Sequence, residues 1–262
     1  MNLDLTHKKA LVCGSTQGIG RAIAHELAAL GAEVTLLARN ETALREAQAT
    51  LPTPAGQQHG YLVADFADPA NLETALAGFV ASAGPVHILI NNTGGPPGGQ
   101  AIDAQLIEFS NAFAQHLLCN QLLVQALVPQ MKAAGYGRIV NIISTSVKEP
   151  IPGLGVSNTI RGAVASWGKT LATELAPFGI TVNNILPGYT STGRLTSLIG
   201  GRASKAGKSA AEIEVGMLAE IPAGRFGTAE EIAAVAAFWC TPAAAYVNGT
   251  SLAVDGGRTR TH

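Results

Sequence analysis

Charge is scarce in this chain, and so are aromatic side chains. Of 262 residues, 13% are Asp, Glu, Lys or Arg and 5% are Phe, Trp or Tyr. Cations and anions nearly balance, 17 against 18, for a net charge of −1, and they are spread along the sequence. With no concentrated basic surface to grip a phosphate backbone, nucleic acid is not an expected partner. Apolar runs are short as well. None approaches the ~20 residues that cross a bilayer, so no membrane partner is expected either. Met1–Lys9 is polar and lacks the apolar centre of a signal peptide. The cysteines Cys13, Cys119 and Cys240 are far apart and odd in number. They read as buried small hydrophobes in a reducing cytoplasm, not as a disulfide or metal set, and no metal is expected.

What is abundant is hydrophobic material, 47% of the chain, enough for one large core. It is arranged in alternation. Strand-like runs at Lys8–Cys13, Glu33–Ala38, Tyr61–Ala64, Val86–Asn91, Gly137–Ser144, Thr181–Leu186 and Ser251–Val254 are separated by helix-like runs. The helical patterns cover Gly18–Leu30, Glu41–Leu51, Pro69–Ala83, a long stretch Ala104–Ala134, Val156–Ala176 and Ala229–Cys240. This order predicts an α/β fold, a doubly wound parallel sheet of about seven strands with helices on both faces. No repeat or linker divides residues 1–262, so one domain is expected. The irregular stretch is Pro187 to Phe226, whose glycines and cations around Gly200–Gly207 suggest a mobile segment; a substrate lid is expected at 189–226.

Ligands of such sheets bind beyond the carboxyl ends of the strands. The first strand runs into Gly14-Ser15-Thr16-Gln17-Gly18-Ile19-Gly20 and then a helix. Glycines permit a tight turn and close backbone approach, and the helix start offers free N–H groups to a phosphate. An ordinary strand-to-helix connection would look similar. The second strand ends Ala38-Arg39, where an acidic residue would favour NAD; the fork of Arg39 suits a 2′-phosphate instead. After the third strand Asp65, with Phe66 beside it, is placed for an adenine amino group or for capping a helix. After the fourth, Asn91-Asn92-Thr93-Gly94 combines polar groups with a glycine.

On these residues the chain resembles the short-chain dehydrogenase/reductase family, nearly end to end. Cys13-Gly14-x-x-x-Gly18-Ile19-Gly20 is similar to the family's T-G-x-x-x-G-I-G, and Asn91-Asn92-Thr93-Gly94 to its N-N-A-G. Gly137–Ser144 resembles the strand ending in the catalytic serine, Pro187-Gly188 with Thr192 the turn at the nicotinamide carboxamide, and Val254-Asp255-Gly256-Gly257 the usual closing V-D-G-G. The resemblance implies a Rossmann-type fold, a nicotinamide cofactor and a homo-oligomer, tetramer or dimer. With Arg39 it implies NADP(H) over NAD(H). By the same resemblance Gly14 to Gly20, Arg39, Asp65, Phe66, Asn92, Gly94, Arg161, Pro187, Gly188 and Thr192 would hold the cofactor, with a small carbonyl or alcohol as substrate.

The catalytic centre departs from the family. Its tyrosine lies thirteen residues after the serine and its lysine four later; counted from Ser144 those places hold Ser157 and Arg161. His116 stands where the family carries an asparagine that anchors a relay water. A subgroup of the family is similar in this Ser and Arg pattern. An aliphatic hydroxyl is a far weaker acid than a phenol, whose pKa is ~10, and Arg161 keeps the charge but cannot relay a proton. The expected catalytic set is Ser144, Ser157, Arg161 and His116. The proton would come from a water held by Ser144, Ser157 and His116, from a titrating His116, or from Lys148 or Tyr189. Two functions are compatible with this: an NADP(H)-dependent oxidoreductase with an atypical site, 3-oxoacyl thioesters included among its candidate substrates, or an NADP(H)-binding sensor or partner subunit without catalysis.

Overall fold

The structure is a computed structural model and describes residues 1–261. Seven strands form one sheet: Lys9–Cys13 (β1), Glu33–Ala38 (β2), Gly60–Val63 (β3), Ile88–Asn91 (β4), Gly137–Ile142 (β5), Ile180–Pro187 (β6) and Ser251–Val254 (β7). Their order is β3-β2-β1-β4-β5-β6-β7, and every pairing is parallel. The chain winds outward from β1 in one direction and from β4 in the other, so a crevice opens between their carboxyl ends.

Alternation along each strand divides the core in two. Ala10 and Val12 of β1 pack on one face with Ile23, Leu27, Ile232 and Ala236. Those partners come from Gly18–Ala29 (α1) and Ala229–Cys240, the last helix. Leu11 and Cys13 point the other way, against Leu72, Leu123 and Leu127. Here the covering helices are Pro69–Ala83, Cys119–Ala134 and Gly155–Leu175. Successive side chains on a strand face opposite sides, so five residues of β1 serve both layers.

Two expectations need correction. The stretch expected as one helix over Ala104–Ala134 is α-helix at Leu106–Phe113, a π turn at Ala114–Leu118, then α-helix from Cys119 to Ala134. A π turn inserts one residue and rotates the helix beyond it, and such turns recur at functional sites. The stretch expected to be irregular, Pro187 to Phe226, holds two helices, Gly193–Ala206 (α7) and Ala210–Ala219 (α8). Leu195 and Ile199 of α7 pack with Met217 of α8, Tyr189 and Ile221. That small core outweighs the helix-weakening Gly200-Gly201 pair. In chain order the remaining helices are Glu41–Gln48 (α2), Pro69–Ala83 (α3), Leu106–Phe113 (α4), Cys119–Ala134 (α5), Gly155–Leu175 (α6) and Ala229–Cys240 (α9). Among the described residues no helix is long and apolar enough to cross a membrane.

Candidate active-site cleft

A cleft of about 650 Å³ runs along the carboxyl ends of β1 to β6. Gly14, Thr16, Gln17, Gly18 and Ile19 line it from the turn after β1, Arg39 from the end of β2, and Asp65 and Phe66 from beyond β3. Asn92 and Gly94 follow β4, Ser144 follows β5, Ser157 and Arg161 stand on α6, and Pro187, Gly188 and Thr192 follow β6. The sequence thus brings residues nearly two hundred positions apart onto one wall.

The turn after β1 is built by backbone geometry. Gly14 has φ +58°, and a Cβ there would lie 2.6 Å from the carbonyl oxygen of Asn92. Asn92 in turn donates through Nδ2 to the carbonyls of Cys13 and Gly14, both at 3.2 Å. Gln17 opens α1 without a side-chain cap, so the first-turn N–H groups remain open to a ligand.

Three of the expected residues lie off the cleft wall. Ser15 is fully buried, its Oγ donating to the Leu37 carbonyl at 3.4 Å. Gly20 serves packing: a Cβ there would overlap the Gly14 carbonyl oxygen. His116 sits in the π turn, 1% exposed, with Nδ1 2.6 Å from Thr93 Oγ1. Thr93 reaches the wall; His116 stands behind it. Burial, reinforced by the charges of Arg161 and Arg194, pushes the His116 pKa down to about 3. The imidazole is therefore neutral at pH 7, and a titrating His116 is not available as the acid.

Neither of the other two candidate acids is free to act as it stands. Tyr189 lines the cleft, but its hydroxyl donates to Glu220 at 3.3 Å and accepts from Arg202 at 3.3 Å. Its ring packs edge-on to Phe226 and under the guanidinium of Arg258. Lys148 is not a cleft residue. Ser144 Oγ accepts the Ser146 N–H at 3.1 Å, which leaves its own proton free to be donated.

Arg161 is 8% exposed, and its Nη1 donates to the Ile142 carbonyl at 3.2 Å. Burial, and after it the neighbouring Arg194, lowers its pKa to about 10, so it remains charged at neutral pH. Arg194, Thr93 and Arg258 line the cleft without having been singled out from the sequence. Thr93 lay inside a quoted motif, at the place of its alanine. Arg194 comes two residues after Thr192, inside the stretch read as irregular, where nothing marked its direction.

Residues 14–259 match the family described as enoyl-(acyl carrier protein) reductase. The 3-oxoacyl-[acyl-carrier-protein] reductase of Haemophilus influenzae is 34% identical over 250 residues, 95% of this chain and 97% of that protein. Gluconate 5-dehydrogenase of Gluconobacter oxydans is 33% identical over 261 residues, 98% of this chain and 96% of that protein. Among solved structures, L-sorbose reductase of Gluconobacter frateurii, complexed with NADPH and L-sorbose, is similar with a TM-score of 0.92 at 29% identity, covering 100% of both chains. YwfH, an NADPH-dependent reductase involved in bacilysin biosynthesis, has a TM-score of 0.91 at 26% identity, with 97% of this chain and 99% of that one covered.

Proposed function

The chain belongs to the short-chain dehydrogenase/reductase family of oxidoreductases, and from that premise we propose that it interconverts a carbonyl and an alcohol on a small or acyl-type substrate with NADP(H). The cleft's residues fit this cofactor. The uncapped start of α1 and the Gly14 turn would hold the diphosphate. Arg39 is exposed and makes no hydrogen bond or ion pair among the described residues, which leaves its fork for a 2′-phosphate. Asp65 and Phe66 would meet the adenine, Asn92 and Gly94 the neighbouring ribose, Arg161 the nicotinamide ribose, and Pro187, Gly188 and Thr192 the carboxamide. NADP(H), when bound, supplies or takes up the hydride.

The chain's own residues handle the oxygen. Ser144 donates a hydrogen bond to the substrate carbonyl oxygen and orients it, keeping its own proton. As the C=O π bond breaks, its electron pair collects on that oxygen, and the charged Arg161 stabilises it in a partly desolvated site. The new alcohol takes its proton from solvent water, passed by Ser157, which lines the cleft one helical turn before Arg161. His116 acts as a positioning residue through Thr93. Three further readings belong to this proposal. α7 and α8 form a substrate lid. The exposed apolar Leu106, Ile107, Phe113 and Leu118 support a homo-oligomer, a tetramer or dimer. The three buried, unpaired thiols support a reducing, cytoplasmic setting.

The observation that carries this reading is the meeting of Ser144 and Arg161 on the wall that also holds the glycine turn and Arg39. The test is NADPH oxidation by purified protein over a panel of ketones, diketones, oxo acids and 3-oxoacyl thioesters. Turnover is expected, with Ser144→Ala losing about 10²–10³-fold in kcat while its NADPH Kd stays constant. Tight NADPH binding without turnover on the panel would favour a non-catalytic sensor or partner subunit.

A further inference from the structure

The charged lining of the cleft is lopsided: Arg39, Arg161, Arg194 and Arg258 against a single acid, Asp65. Two of these charges are accounted for within the protein. Arg258 pairs with Glu220 at 2.9 Å. Asp65, beyond β3, accepts the Ala67 N–H at 2.9 Å. Arg39 sits at the far end, just after β2. Arg161 and Arg194 remain, and they converge. The Nη2 atoms of Arg194 and Arg161 lie 3.3 and 3.8 Å from the point a Cβ on Gly95 would occupy.

No carboxylate pairs with either one among the described residues. Arg161 is buried with one bonded partner, the Ile142 carbonyl, and Arg194 spends Nη2 on the Pro96 carbonyl at 2.7 Å. Most of their ten N–H donors are unused. Arg161 is a buried charge without a counter-charge, which is costly, and the exposed Arg194 sets a second like charge beside it. Such an arrangement persists where a ligand brings the anion. The shared chemistry is a pair of anionic oxygens held by guanidinium forks, available from a substrate carboxylate or from the cofactor's diphosphate.

We infer that the substrate is a short oxo acid, or the matching hydroxy acid, and that Arg194, with Arg161 behind it, anchors its carboxylate. This rests on the carbonyl–alcohol reading above and narrows its substrate. Three features favour the carboxylate over the diphosphate. The uncapped start of α1 already offers the diphosphate a site. Arg161 is one helical turn from Ser157, with Cβ atoms about 6 Å apart, so the anion site lies beside the reacting carbonyl. Ser157 is also far smaller than the family's tyrosine at that place, which leaves room for a carboxylate there. An anion site beside the reacting carbonyl selects 2-oxo and 3-oxo acids. In reduction the carbon gains a hydride from NADPH, the oxygen gains a proton from water, and the carboxylate stays ionised throughout.

The test uses a dead-end complex and so needs no turnover. Pyruvate, acetoacetate and their methyl esters are titrated calorimetrically into protein saturated with NADP⁺. At least one acid is expected to bind about tenfold tighter than its ester. In Arg194→Met that preference is expected to fall to about twofold or less, with NADP⁺ affinity changed by less than about twofold. Esters binding as well as acids in the wild type would overturn the inference. A loss of NADP⁺ affinity of about tenfold in Arg194→Met would also overturn it, by assigning Arg194 to the diphosphate. Turnover of neutral ketones beside the first result would leave the oxidoreductase reading intact. Acid preference without hydride transfer to any substrate would retain the anion site and remove that reading.

Discussion

Thr93 Oγ1 and His116 Nδ1 lie 2.6 Å apart, and each is a departure from the family pattern at its own place. Thr93 stands where the motif after β4 has alanine, His116 where the long helix has asparagine. Neither alone reads as a pair, 23 positions apart in sequence. The π turn at Ala114–Leu118 brings them together by turning His116 toward the strand end. The threonine thus presents a hydroxyl to the cleft whose position is fixed from behind by a neutral imidazole.

That neutrality predicts a pH dependence of stability. An unfolded histidine titrates near 6.5, whereas the folded His116 binds a proton only near pH 3. Its folded pKa is lowered, so its contribution is fully present above pH 6.5 and is lost as pH falls through the window toward 3. Within that window the unfolded state gains about 1.4 kcal/mol per pH unit. Between pH 7 and pH 5 wild type should lose about 2 kcal/mol more than His116→Asn, read from urea unfolding at the two pH values. Parallel losses would mean that the folded imidazole is not held neutral.

The adenosine end gives a sharper binding prediction. Arg39 is exposed and free of protein partners among the described residues, so Arg39→Ala should leave the fold and its thermal midpoint intact. A charged hydrogen-bond pair is worth about 1.5–3 kcal/mol. NADPH affinity should accordingly drop about 10–100-fold while NADH affinity hardly moves, measured by fluorescence titration. Equal losses for the two cofactors would remove the 2′-phosphate from Arg39.

Much of this architecture was legible in the sequence, because strands and helices advertise themselves through local period. β2, β7, α3 and α9 begin and end where the pattern places them. The glycine turn and the polar strand ends were legible because their chemistry is written in consecutive residues. What escaped is what only tertiary contact creates. α7 and α8 carry Gly200-Gly201 and Gly207 within or between them, and their helicity depends on packing against Tyr189 and Ile221. Arg194 gains meaning only when it meets Arg161 beside Gly95.

A third prediction concerns a ladder that local pattern also hid. Asn91, Asn141 and Asn184 are each buried and stand in register across β4, β5 and β6. Asn91 Nδ2 donates to Asn141 Oδ1 at 2.8 Å, Asn141 Nδ2 to Asn184 Oδ1 at 2.8 Å, and Asn184 Nδ2 to Ser251 Oγ on β7 at 3.1 Å. α6 comes close to this row at Gly168, where a Cβ would lie 2.8 Å from Asn184 Oδ1. Removing the middle member strands partners on both sides, at about 1–3 kcal/mol for each buried group left unpaired. Asn141→Leu should therefore destabilise by several times a single hydrogen bond's net worth, with loss of Tm in calorimetry. A cost under about 1 kcal/mol would mean that its neighbours find new partners.

The source of the proton can be narrowed with two substitutions. A general acid contributes about 10²–10⁴-fold to rate. Tyr189 is the one phenol on the cleft wall among the described residues, yet its hydroxyl is held between Glu220 and Arg202. Tyr189→Phe should cost less than about tenfold in kcat, which is below the range of a lost acid. Ser157→Ala should cost more, about a hundredfold, with the NADPH Kd unchanged, because the hydroxyl that passes the proton would be gone. The contrast is read from kcat–pH profiles of both variants on one substrate. A hundredfold loss in Tyr189→Phe, with a shifted basic limb, would instead make the phenol the donor. Tyr189 would then have to reorient, breaking its Glu220 contact before the hydroxyl could face Ser144.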